Sequence, residues 1–181
     1  MAWADYYKTV EEQLAMLLGG VEEDGTEVPL AVGGHSVVKE VTLSLDTNQY
    51  ASGDVLAATQ EIASALRLSG GSGVLHSVVV LDKDDQGEAL DLVFLSANGA
   101  IGTENAAVSV SDAVADTIIG VVEVAAGDFV DLVNSQIAVK TSLGMVIEVA
   151  SGTSLYVAAI SRGTGTYTAA GVTLKVGIIQ D

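Results

Sequence analysis

Proton transfer near neutral pH calls first for histidine, and the sequence offers two, His35 and His76. His35 lies in Gly33-Gly34-His35-Ser36 and His76 in Val74-Leu75-His76-Ser77-Val78. Neither has a partner at a metal-ligand spacing such as His-x-x-x-His, and one Ser beside one His does not make a triad. His76 as a catalytic base competes with His76 as a cross-strand hydrogen-bonding residue, and the second is the expectation.

Carboxylates supply the other candidates. Asp82-Lys83-Asp84-Asp85-Gln86-Gly87-Glu88 concentrates hard oxygen ligands, so calcium at Asp82, Asp84 and Asp85 is the alternative to a hairpin turn with solvated charge. The spacing departs from the EF-hand loop, and Lys83 interrupts the anions, which favours the turn. Asp128 with Asp131, and Glu22 with Glu23, could serve glycoside hydrolysis only across a sugar-binding cleft. Aromatic platforms for a sugar are few: Tyr50, Phe94, Phe129, Tyr156 and Tyr167. Gly70-Gly71-Ser72-Gly73 and Gly163-Thr164-Gly165-Thr166 match neither phosphate-binding glycine pattern and read as turns. Cysteine is absent, which removes disulfides, thiolate nucleophiles and Cys-based zinc sites together. No catalytic group, cofactor or metal site is expected.

The elements that would position these residues are mostly strands. Val41, Leu43 and Leu45 alternate with Thr42 and Ser44, the period of a half-buried strand. Further strands are predicted at 74–82, 90–96, 117–125, 128–133, 136–141, 144–150, 154–161 and 172–179, with Gly- and Asp-rich turns between them. Residues 55–68 fit a strand or a helix, and the strand is favoured. Short strands at this spacing predict an antiparallel β-sandwich or jelly roll over residues 37–181.

The start of the chain differs. Trp3, Tyr6, Tyr7, Val10, Leu14, Leu17 and Leu18 fall on one stripe at helical spacing, which predicts a short amphipathic helix closed by Gly19-Gly20. Residues 21–36 read as a connector, so 1–36 would form an arm. A helix this short is marginal alone in water. Its stripe therefore predicts a contact with another protein surface, with its own domain as the alternative.

Composition narrows the partners. Hydrophobic residues make up 49% of the 181 but aromatics only 4%, so the core must be Val, Ile, Leu and Ala. Seven Lys and Arg against 24 Asp and Glu give a net charge of -17. The seven cations are scattered singly, which makes nucleic acid a poor partner and disfavours anionic membranes. No apolar run has the length of a membrane span, and the first residues lack the pattern of a secretory signal.

Several strings resemble a family of small virion structural proteins encoded by tailed bacteriophages. They are Val41-Thr42-Leu43-Ser44-Leu45-Asp46-Thr47-Asn48 through Tyr50-Ala51-Ser52-Gly53-Asp54-Val55-Leu56, then Asp84-Asp85-Gln86-Gly87, Leu90-Asp91-Leu92-Val93-Phe94-Leu95, and Ser154 to Thr164. The resemblance spans roughly 37–181 and implies a part of the particle rather than an enzyme. It implies a capsid decoration or cement protein, made in the host cytoplasm and placed on the virion surface. Such a subunit would join itself as a homotrimer and bind the major capsid protein. The alternative is a host-surface binding module on a tail or head fibre, with its site in loops such as 97–106.

Overall fold

A computed structural model describes residues 35–181. Ten strands run β1 (His35–Thr42), β2 (Val55–Ile62), β3 (Ser72–Asp82), β4 (Leu90–Leu95), β5 (Ile118–Val124), β6 (Phe129–Asp131), β7 (Gln136–Lys140), β8 (Met145–Glu148), β9 (Leu155–Ser161) and β10 (Val172–Gln180). One helical turn, α1 (Asp112–Ala115), precedes β5 and is capped by Ser111, whose side chain accepts from the Val114 amide. No described helix is long and apolar enough to cross a membrane.

The strands form two antiparallel sheets. The first has six strands in the order β1-β10-β3-β7-β6, with β8 also paired to β3, and the second runs β2-β9-β4-β5. Register explains which side chains are inside. Val41, Leu174, Val80, Ala138 and Phe129 lie in one cross-strand row facing the core, and the adjacent row Glu40, Lys175, Val79, Val139 faces outward. In the second sheet Ala57, Ala159, Leu92 and Val122 make the matching inner row. Side chains of both sheets join in a single core cluster that is almost wholly aliphatic. β-Branched residues suit such a pleated surface, as the composition predicted.

The strand at 41–45 is displaced from its expected place. β1 begins at His35 and ends at Thr42, so His35 and Ser36 belong to a strand rather than to a connector. Leu43 and Leu45 remain buried beyond it, held by bonds from their amides to the Val172 and Ala169 carbonyls. Residues 55–68 divide: strand to Ile62, then a turn through Ser64 (φ 52) that delivers Ala65 and Leu66 to the core. The amphipathic stripe Trp3, Tyr6, Tyr7, Val10, Leu14, Leu17 and Leu18 lies outside the described residues.

The strand β3 serves two partners. Ser72–Leu75 pairs with β8 and Val78–Asp82 with β7, and the pairing with β10 slips between Leu75 and Ser77. His76 is the extra residue of this bulge, which bends the strand where its partners change over. The second sheet is covered on its outer side as well. The segment 96–117 places Ile101, Val108 and Val114 against Val55, Val93, Leu95, Ala158 and Ile160.

Candidate functional site

Connections alternate between the two ends of the unit, and each end is built differently. At one end the segments 43–54, 83–89 and 162–171 are laced together by hydrogen bonds. Asp82, 2% exposed at the end of β3, accepts backbone N–H bonds from Asp84 at 2.9 Å and from Gln86 and Gly87 at 2.8 Å each. Asp84 accepts from the Thr168 amide at 2.7 Å and from its hydroxyl. The Thr166 amide donates to Gln86 Oε1, and Gln49 Nε2 to the Thr164 carbonyl. Asp85 takes φ 57, which the turn requires.

The acid-rich loop is thus a turn organised around Asp82. The three amide hydrogens aimed at that carboxylate present positive dipole ends where a cation would have to sit. Asp82, Asp84 and Asp85 do not converge, and among the described residues no group of three acids or histidines is set to hold a metal ion. The calcium alternative at these three residues has no geometric support.

Tyr50 and Tyr167 fill the core behind these loops, 2% and 4% exposed. The Tyr50 hydroxyl accepts from the Asp46 amide at 2.7 Å and donates to the Leu56 carbonyl at 3.0 Å. Burial pushes its pKa up to about 12, assisted by the charges of Glu104, Asp46 and Asp54. Burial likewise raises Tyr167, with Asp82, Glu88 and Asp84 adding to it. Asp46 is held below the ordinary carboxylate range, chiefly by the Asn48 amide it accepts from. Nothing in the spacing of Tyr50 announced this role, since its partners are backbone groups.

The remaining chemical candidates are dispersed. The His76 ring is exposed at the bulge and makes no cross-strand hydrogen bond among the described residues; its carbonyl accepts from the Leu143 amide instead. Among the described residues the expected hydrogen-bonding role finds no partner, because the bulge leaves His76 with no residue opposite it on a neighbouring strand. His35 Nδ1 donates to Gln180 Oε1 at 2.9 Å, and Gln180 in turn donates to the Ala65 carbonyl. Asp128 pairs with Lys140 Nζ at 2.6 Å and caps the Ala125 amide, and the lysine's hydrogen bond lowers its pKa first of all. Asp131 accepts from the Val133 amide. Each acid is spent on its own turn. Glu22 and Glu23 lie outside the described residues.

Two surface features were not legible in the sequence. The outer face of the first sheet leaves Val38, Val130, Val139 and Val146 between 51% and 70% exposed, with Leu132 and Val133 at the β6–β7 turn. The segment 97–106, expected to be a free loop, is instead tied to the sheet. The Asn105 amide donates to the Val55 carbonyl, the Val55 amide to the Ala106 carbonyl, and Ile101 is buried. Small residues let this cover lie flat, so neither period marked it.

No family model matches this sequence, and no curated protein matches it. Solved structures share a slight likeness. One from Desmodium yellow mottle tymovirus is 14% identical, covering 88% of each chain with a TM-score of 0.27. One from infectious bursal disease virus, Gt strain, is 15% identical, covering 87% of this chain and 35% of that one with a TM-score of 0.35. Both are too slight to transfer a fold or a role to this chain.

Proposed function

We propose that this chain is a non-catalytic structural subunit of a virus particle, a capsid decoration or cement protein of a tailed phage. The observation that carries the reading is the interleaving of the strands. Counting β7 and β8 as one interrupted strand on β3, and setting aside the three-residue edge strand β6 that pairs antiparallel with β7, the sheets run first-eighth-third-sixth and second-seventh-fourth-fifth. That order supports a jelly-roll reading, in which most consecutive strands cross between sheets, and viral capsid domains are among the users of that fold. The strings that resemble tailed-phage virion proteins favour the same placement.

Assembly is supported by the outer face of the first sheet. Valines held in water on a pleated surface gain by burial against another subunit. The same face carries Glu40, 4.0 Å from Lys175, and Glu148 beside Val146, so its strand positions hold little of the acidity that would drive copies apart. The reading is of a homotrimer bound to the major capsid protein.

Light scattering of the full chain over a concentration series tests it. A mass near three times 18.4 kDa is expected, and a persistent monomer would sink the trimer. Replacing Val139 and Val146 by Lys should then dissociate the trimer while the unit stays folded. Removing residues 1–34 leaves β1 whole, and the shortened chain should lose its hold on particles.

A further inference from the structure

At the end opposite Asp82, the segments 63–71, 96–117 and 149–154 come together. The Leu66 amide donates to the Thr153 carbonyl, the Gly70 amide to the Gly152 carbonyl, and the Gly152 amide to Ser69 Oγ. Between the last two segments lies a depression of about 450 Å³. This is within the size range of small-molecule sites. Its polar lining is Ser96, Asn98, Thr117, Ser151, Ser154 and Tyr156. The other three lining residues are two alanines and a glycine, so none of the nine is charged, in a chain of net charge -17.

That lining discriminates among ligand classes. A metal ion would need carboxylates or imidazoles, and the wall has none. A phosphate or other anion would need Arg, Lys or a nest of amides, and the surrounding field is negative. A purely apolar ligand would strand the hydroxyls without partners. What remains is a neutral molecule bearing many groups that both donate and accept.

The hydrogen bonds already made define what is offered. Ser96 Oγ donates to the Thr117 carbonyl, Thr117 Oγ1 to the Val114 carbonyl and Ser154 Oγ to Glu61. Each of these hydroxyls has thereby placed its hydrogen and keeps lone pairs to accept from a ligand. Asn98, Ser151 and the phenol of Tyr156 have no side-chain partner among the described residues, and they supply donors. Tyr156 is half-buried on β9, packed against the outer cluster of the second sheet. Its ring supplies a flat apolar wall beside the hydrogen-bonding groups.

We propose that this depression binds a neutral carbohydrate, with Tyr156 against the C–H face of a sugar ring and the hydroxyls and Asn98 meeting its OH groups. The site goes beyond the structural role and is tested on the isolated chain, so its failure leaves the assembly reading untouched. Labelled full-length protein is applied to an array carrying neutral, sialylated and sulfated glycans. Neutral glycans that are retained are then titrated as free oligosaccharides by saturation-transfer NMR.

Saturable binding of at least one neutral glycan is expected, weakened about tenfold or more by Asn98→Ala with Ser151→Ala. These exposed side chains hold nothing in the fold, so melting should not change. Tyr156→Phe keeps the ring and removes only the hydroxyl, giving a second, independent reading of the site. Retention of acidic glycans alone, no retention at all, or binding equal to the parent in both variants would overturn the proposal.

Discussion

Tyr50 and Tyr167 meet edge to face, their ring centroids 6.1 Å apart and their planes at 62°. Tyr50 comes from the connection after β1 and Tyr167 from the one before β10. The pair thus joins the beginning and end of the described unit within the core. An edge-to-face pair contributes beyond its buried area, and the Tyr50 hydroxyl ties the same ring to Asp46 and Leu56.

Removing that hydroxyl isolates its part. Tyr50→Phe keeps the ring contact but leaves the Leu56 carbonyl, in the buried start of β2, without its donor. A loss of about 1–3 kcal/mol is expected, read from urea unfolding, with the slope against urea unchanged. A change near zero would show that other groups take over the carbonyl.

Alkaline pH should destabilise the protein before it ionises native Tyr50 and Tyr167. An unfolded tyrosine titrates at 10.0, whereas native Tyr50 titrates at about 12 and Tyr167 is raised as well. Above pH 10 the unfolded chain therefore releases protons the native state retains, and stability falls as pH rises toward 12. Below pH 10 these two groups contribute no slope. Unfolding free energies from pH 8 to 11.5 should show the decline, and Tyr50→Phe should flatten it. The part of the native tyrosinate absorbance that comes from Tyr50 and Tyr167 should appear later than in urea.

Asp82→Asn tests the turn. The amide can present only one oxygen to the three N–H groups that the two carboxylate oxygens now share, and its NH₂ faces donors. We expect destabilisation of about 1–3 kcal/mol. Adding calcium should leave the melting temperature of the parent protein unchanged, because the acids of this turn accept from amides and do not converge on a cation. A calcium-dependent rise would reverse our reading of Asp82, Asp84 and Asp85.

Val133 is the reverse case, a residue whose replacement should help. It is 79% exposed and takes φ 81, a conformation that a β-branched residue rarely adopts. Its amide is fixed by Asp131 Oδ1 at 2.6 Å, and the Leu132 amide donates to the Ser135 carbonyl at 2.8 Å. Val133→Gly removes the strain without opening a cavity. The melting temperature should rise, by a gain of about 1 kcal/mol after the added flexibility of the unfolded chain is counted.

The sheets were largely legible because alternation survives wherever one face is buried. Val78 and Val80 with Leu174 and Val176 show the pattern that the register then uses. Legibility failed where an outward position is apolar or a buried one lies outside a strand. Val38, exposed on β1, blurred the strand start, and Ala65 and Leu66 reach the core from a turn, which blurred the end of β2. The depression at Tyr156 was invisible because its residues lie up to 60 positions apart and are of types common in any loop. The tie between Asp82 and the amides of its own turn was the most local of these features; the spacing favoured a turn, yet the acid-rich composition kept calcium open as the alternative.

The divided pairing of β3 has a consequence for crowded conditions. Because β7 and β8 take separate halves of it, the far border of the first sheet is broken into β6 and β8, three and four residues long. Neither offers a long straight row of free N–H and C=O groups on which a neighbouring chain could template itself. A subunit displayed in many copies at close quarters meets its neighbours at high local concentration. In the assembly proposed above, the bulge at His76, by splitting that border, withholds this edge from strand addition, whereas the opposite edge, β1, is eight residues long.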